Sequence, residues 1–527
     1  MGSLTIVTGM PGTRIRRSLG KFAEYEESTY HRHVKVFSLE EVFQTKAQPL
    51  VAEHFAVRAV TPSQTFLLPR SELRRLWKEA WNEILAGADH ALETSDVIVT
   101  FHLSWFHQLT REYFVAVDMP SLLQALPERT SRVVTLVDDI YDCHESLIAG
   151  GSAAGMMSSV DSIGTAILDL LQVLDWRSIE VMLSESLAAS IGVPHVILAV
   201  KHPLETFHDL LFTDKRIVYF SHPISEPRRM HAAGRTADAE AFVQRIAQIV
   251  ERLQADSVVI EPTTIDELRF AGVSGNLALR WPFHPDTRQL LYEAPTPAPP
   301  GSRPHLFPSA WAADTREEIG ENGLVQSLRK AVQEQIDARD HGLVEQSRVI
   351  GCYRPIYDGN ASRGVREELE HFERLVALGL RKAEASVVFS PDEDRAKYPR
   401  RQLAEQIIPQ WERQHIIEGP ADALHRFRDR VLSENSAQIE NLIQGDHDAL
   451  LTTVADCNLT IRPDDQILPG GALGAGENVR RQAMAAELAE QARRAGTLYL
   501  DGLQESGIIQ IVSSEQLFYD ALGIQIV

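Results

Sequence analysis

The chain has 527 residues, 44% of them hydrophobic and 24% charged, which is ordinary globular composition and too much chain for one core, so two to four domains are expected. Its formal charge of −21 leaves no basic excess to neutralise a phosphate polymer. No nucleic acid and no membrane surface is therefore expected as a general partner, while a small anion held by a few arginines still fits. Three cysteines, Cys143, Cys352 and Cys457, lie far apart with no CxxC pair. That argues against a disulfide framework or structural zinc and for a reducing, cytoplasmic setting. No basic-then-apolar leader and no run of about 18 apolar residues is seen, so neither a signal peptide nor a membrane span is expected. Met1-Gly2-Ser3 runs straight into an apolar strand, which discounts N-terminal acylation.

In chain order, short apolar runs at 4–9, 34–39, 96–102, 132–139 and 195–200 alternate with amphipathic stretches such as RSELRRLWKEAWNEILAGADHAL. Continuous apolar strands joined by helical crossovers predict a parallel α/β sheet domain over 1–212. A second alternation starts at RIVYFSHPIS (216–225) and continues through strands at 257–262, 348–355 and 385–391. It predicts a second, Rossmann-like (flavodoxin-like) parallel sheet domain over 213–400. A Pro-rich insertion, EAPTPAPPGSRP (293–304), interrupts it and suits neither helix nor central strand. Residues 401–527 predict a mostly helical, charged C-terminal region broken by LPGGALGAGE (468–477).

TGMPGTRIRRS follows the first strand and precedes a helix, where backbone N–H groups and the helix dipole favour an anion. The working phosphate loop is G-x-x-x-x-G-K-[ST]. Counting from Gly9, the second glycine is Arg14, the lysine is Ile15 and the hydroxyl is Arg16. The loop, with Gly9, Gly12, Thr13, Arg14 and Arg16 as its candidate residues, has lost the lysine and the metal-holding hydroxyl on which phosphoryl transfer depends. TGMPG resembles the loop of adenylate-kinase-like P-loop proteins, and the five-strand pattern is compatible. LVDDIYD (136–142) ends a strand with paired aspartates, which fit a metal-holding acid or a simple turn. His102, Trp105 and His107, and likewise His31 and His33, lack partners at metal-ligand spacing and read as polar rim and surface.

Three segments of the second domain converge. VYFSHPISEPRR (218–229) ends a strand with hydroxyls, a histidine and two arginines. Asp340 lies one helical segment ahead of the strand RVIGCYRP. SRGVREELEH (362–371) opens a helix with Ser362, Gly364 and Glu368. Loops after the C-terminal ends of parallel strands share one crevice, so the loops after Phe220 and Arg354 are expected to face each other. Taken singly, Glu368 suits a solvated helix acid, Asp340 a surface acid, Tyr219 a core aromatic and Ser362 an N-cap.

YFSHPIS, RDHGLVEQSRVIGCY and SRGVREEL, in that order, resemble the motifs of the nucleoside 2-deoxyribosyltransferase superfamily, and within it the 2′-deoxynucleoside 5′-monophosphate N-glycosidases. The resemblance covers about residues 216–395. The N-terminal arrangement also resembles that of bacterial proteins that fuse a P-loop domain to such a glycosidase-like domain, VKHPLETFHDLLF (200–212) resembling their junction. The resemblance implies Glu368 as the carboxylate at C1′, Asp340 on the sugar hydroxyls or the leaving base, and Tyr219 at the sugar or near the nucleophile. It implies a 5′-phosphate held by Ser362, Gly364 and the helix N-terminus, with Ser221, His222, Ser225 and Arg228 across the site. It implies a nucleotide substrate, no cofactor, no metal and a homo-oligomer. SHPISEPRR replaces the family's small glycine-rich turn, and the 262–324 insertion departs from its pattern. The substrate is thus left open among a ribonucleotide, a deoxynucleotide and a dinucleotide such as NAD. A catalytically inactive nucleotide-binding regulatory protein and an atypical nucleotide kinase are the competing readings.

Overall fold

The computed structural model describes all residues except 1, 56–61, 108–109, 111, 116, 127–129, 150–162, 263–322, 381–385, 465–466, 469–474, 498 and 524–527. Most of the predicted 262–324 insertion and the centre of LPGGALGAGE lie outside the described residues.

The first sheet uses the five apolar runs read from the sequence. Its strands are β1 (Leu4–Thr8), β2 (Val34–Ser38), β3 (Asp96–Thr100), β6 (Thr130–Val137) and β7 (His195–Ala199), with a β4 (Ser104–His107)–β5 (Glu112–Val115) hairpin between β3 and β6. The sheet is parallel with order β2-β3-β1-β6-β7. The chain reverses its direction of winding between β1 and β3, which opens a crevice beyond the carboxyl ends of those strands. One face packs on the Arg70–Ala91 helix, whose Leu73, Trp77, Trp81 and Ile84 recur at helical spacing and are buried with Phe101.

The second sheet comprises β8 (Arg216–Ser221), β9 (Ser257–Ile260), β10 (Val349–Tyr353), β13 (Ser386–Phe389) and β16 (Ile509–Val512). Two short ribbons, β11 (Ile356–Tyr357) with β12 (Asn360–Ala361) and β14 (Ile417–Glu418) with β15 (Thr460–Ile461), lie outside it. The order β16-β13-β10-β8-β9 is the flavodoxin-like 2-1-3-4-5 arrangement. The C-terminal region is largely helical around a core that includes Trp411, Phe427, Leu442 and Leu488. It also supplies β16, which pairs in parallel with β13 from Ser386↔Ile509 to Phe389↔Val512.

The chain divides into two compact units, Met1–Tyr219 with Met230–Ser347, and Phe220–Arg229 with Arg348–Val527. Among the described residues no helix is long and apolar enough to cross a membrane.

Candidate functional site

In the unit holding the C-terminal half, the helix Arg363–Ala377 follows the β11–β12 ribbon, with Ser362 at its N-cap position. Ser362 makes no side-chain capping bond; its backbone N–H donates to the Pro355 carbonyl at 2.9 Å. The helix buries Val365, Glu368, Leu369 and Phe372, the spacing of a core-facing stripe. Glu367 and Glu370 face outward, ion-paired at 2.7 Å to Arg363 and Arg366. Glu368 alone of the three glutamates stands on the apolar stripe, 6% exposed.

A buried carboxylate needs donors, since burying a charge without hydrogen bonds is strongly unfavourable. The Ser221 hydroxyl, at the end of β8, donates to Glu368 Oε2. Cys352, next to last in β10, lies against both: burial first and the Glu368 charge second push its thiol far above the ordinary value, while Ser221 acts the other way. The thiol is therefore protonated at neutral pH, a weak donor beside the carboxylate rather than a nucleophile. On the opposite face of β10, a Cβ on Gly351 would lie 3.3 Å from the Leu522 side chain and 3.6 Å from the Phe220 ring. Ser221, Cys352 and Glu368 thus meet at the switch point between β8 and β10, where open α/β sheets bind ligands.

His222 is also buried, and burial pushes its pKa down to about 3, with only a backbone contact at Pro223 opposing. A neutral imidazole at physiological pH supplies no positive charge to a phosphate. Arg354, just after β10 and with φ 49°, stacks 4.1 Å over the Tyr357 ring and pairs with Asp394 at 2.7 Å. Asp394 also accepts the Asp358 N–H at 2.9 Å. Ser390, just beyond β13, is fully buried, and its Oγ has no hydrogen-bond partner among the described residues. A buried hydroxyl without a partner is rare in native proteins and suits a ligand or water contact.

The helix N-terminus at Gly364 is open: a Cβ there meets nothing within 4 Å, and Gly364 is exposed. Among the described residues no neighbour demands glycine at this position. Ser225 and Arg228 lie in the short Ser225–Ala232 helix, and their side chains are outside the described residues. Glu226 in the same helix is buried and pairs with Arg229.

Ser221, His222, Ser362, Gly364 and Glu368 therefore share one unit, while Tyr219 and Asp340 are assigned to the other. Tyr219 is fully buried in β8. Asp340 sits within the Gly323–Gln346 helix and pairs with its neighbour Arg339 at 2.7 Å. Cys352 and Glu226 were not singled out as site residues from the sequence. Every residue of β10 is buried, so alternation could not mark which side of the strand Cys352 faces.

The P-loop-like segment of the first unit is closed on itself. Thr13 donates its hydroxyl to the Met10 carbonyl at 2.8 Å and is buried. A Cβ on Gly9 would lie 2.5 Å from the Leu136 carbonyl oxygen. One on Gly12, at φ 105°, would lie 2.8 Å from that of Cys143. Arg14 donates to Ser146 at 2.9 Å and Arg16 pairs with Glu41 at 2.8 Å. His102 meets the Gly9 carbonyl, and both ring nitrogens of His107 are bonded, to Thr110 at 2.9 Å and the Leu68 carbonyl at 3.1 Å. His33 pairs with Glu27 on the surface at 2.6 Å. Two features of this unit were not foreseen. Glu180, in the Ile163–Ile191 helix, accepts the Leu103 and Ser104 N–H groups at 2.8 Å each. Lys201, just after β7, joins Asp138, Asp139 and Asp142.

No protein-family model matches this chain, and no curated protein sequence matches it.

Proposed function

We propose that the chain is a nucleotide N-glycosidase whose working carboxylate is Glu368. The observation that supports this reading is a buried glutamate on an otherwise apolar helix stripe, held by Ser221 at the switch point of a flavodoxin-like sheet. Cleavage of an N-glycosidic bond develops positive charge at C1′. A fixed carboxylate in a dry site stabilises that charge more strongly than one in water does.

In the reaction, a Glu368 oxygen attacks C1′ as the C1′–N bond breaks, and the bonding pair leaves with the base nitrogen. The base nitrogen takes a proton from solvent, and a glycosyl ester remains on Glu368. Water then attacks C1′, the C1′–O bond to Glu368 breaks with its electron pair returning to the carboxylate, the water's proton goes back to solvent, and the sugar phosphate is freed. Ser221 holds the carboxylate in a fixed orientation through its hydrogen bond to Oε2. The open N-terminus of the Arg363–Ala377 helix suits the 5′-phosphate, because a phosphate can approach the Gly364 backbone unobstructed. The reading rests on Glu368 and its partners rather than on Asp340 or Tyr219.

The test is incubation with ribo- and deoxynucleoside 5′-monophosphates and NAD in the absence of ATP, with free base measured by chromatography. Release of base from one member supports the glycosidase reading and identifies the substrate. Binding of a panel nucleotide with no release would instead make this a nucleotide-binding module.

A further inference from the structure

Asp138, Asp139 and Asp142 present carboxylate oxygens that all lie within 4.8 Å of one another. Oxygens so spaced fit around one hard divalent cation, which takes oxygen ligands at roughly 2.0–2.6 Å. A cationic group of the protein already stands there. Lys201 Nζ pairs with Asp139, lies 2.6 Å from Asp142 Oδ2 and 3.5 Å from Asp138 Oδ1.

The backbone sets this placement. β6 and β7 pair in register to Val137↔Ala199, and the Val200 N–H donates to the Val137 carbonyl at 2.9 Å. Asp138–Asp139 and Lys201 therefore leave adjacent strand ends together. Asp139 also accepts the Asp142 N–H at 2.8 Å, which ties it to the N-terminus of the Ile140–Ala149 helix. The buried Arg177 donates to the Asp138 carbonyl at 3.2 Å, which adds a second positive charge nearby.

We infer that Lys201 is a built-in counter-cation that fills a latent divalent-cation site, so that the first unit holds its aspartate cluster together without a metal. An added dication would have to displace an ammonium fixed by the sheet register, and the two positive charges repel at this range. This inference does not depend on the reading of Glu368.

The experiment compares wild type, Lys201→Met and Lys201→Met/Asp139→Asn for thermal stability in EDTA and in millimolar Mn²⁺, with bound Mn²⁺ counted by electron paramagnetic resonance. Wild type is expected to show the same Tm in both and no tightly bound ion. Lys201→Met is expected to lose about 5 °C or more in EDTA, to regain it in Mn²⁺ and to bind one ion. The double variant is expected to lose that Mn²⁺ response. Stabilisation of wild type by Mn²⁺ that Asp139→Asn abolishes would overturn the inference. So would a Lys201→Met chain as stable as wild type in EDTA. Should Lys201→Met fail to fold, Lys201→Met/Asp142→Asn removes one charge of each sign. Recovery of folding by that pair supports charge balance as the role of Lys201, and failure to recover overturns it.

Discussion

Ser221 and Glu368 are separated by 147 residues of chain and joined by one hydrogen bond, donated by the hydroxyl to a carboxylate on the buried face of a helix. Ser221→Ala leaves that carboxylate short of a donor where water has little access. A loss of about 1–3 kcal/mol in unfolding free energy is expected from urea denaturation. Base release is expected to fall by roughly 10-fold, because the carboxylate is then less firmly oriented. Unchanged stability would mean that the bond carries no weight in the fold.

Gly364 separates a structural role from a ligand role. A methyl group there meets no neighbour, and alanine is the better helix former, so Gly364→Ala is expected to hold or raise stability by about 0.5–1 kcal/mol. If a phosphate approaches this backbone, the same substitution raises KM for nucleotide substrates. A stable variant with unaltered KM would remove the phosphate from this helix end.

Gly9 and Gly20 give the opposite contrast in the first unit. Gly9→Ala drives a Cβ to 2.5 Å from the Leu136 carbonyl oxygen, whereas Gly20→Ala meets nothing within 4 Å in the Ile15–Tyr30 helix. Gly9→Ala is expected to lose about 2–3 kcal/mol, in the range of overpacked cores. Gly20→Ala is expected to gain about 0.5–1 kcal/mol, the helix-propensity difference. Thermal melts of the two variants read both signs directly.

Glu180 gives a pH signature. Burial raises its carboxyl to about 6, against the pull of the His102 charge and of the Ser104 and Leu103 donors. A raised folded pKa means that the folded state binds the proton more tightly than the unfolded state. The resulting stability is complete below the unfolded value near 4.5 and is lost as pH rises through about 6. Glu180→Gln removes that titration. The stability gap between wild type and Glu180→Gln is therefore expected to shift against wild type by about 2 kcal/mol from pH 4 to pH 7. A gap that stays constant over this range would place the carboxyl at its ordinary value.

Much of the fold is legible in the sequence because buried parallel strands read as continuous apolar runs. All nine such runs in the two domains appear as strands, most of them shorter than the run, while the strand at 132–139 starts two residues earlier, at Thr130. Ile509–Val512 escaped notice because it is four residues long, sits at a sheet edge and is embedded in a helical region. The three glutamates of SRGVREELEH were separable in principle: Val365, Leu369 and Phe372 define a stripe that includes position 368 and excludes 367 and 370. The partners of Glu368 were less accessible. Ser221 reaches it only because β8 and β10 are neighbours, a fact of strand order rather than of local pattern. Lys201 meets its aspartates for the same reason, through the β6–β7 register.

The most direct measurement compares base release by Glu368→Gln and Glu367→Gln under identical conditions, with circular dichroism confirming that both fold. The two residues are adjacent on one helix, but only Glu368 is buried on the site side, while Glu367 is ion-paired at the surface. Glu368→Gln is expected to reduce release by at least about 10³-fold, and Glu367→Gln to leave it within about two-fold of wild type. Equal rates in the two folded variants would contradict a catalytic role for Glu368.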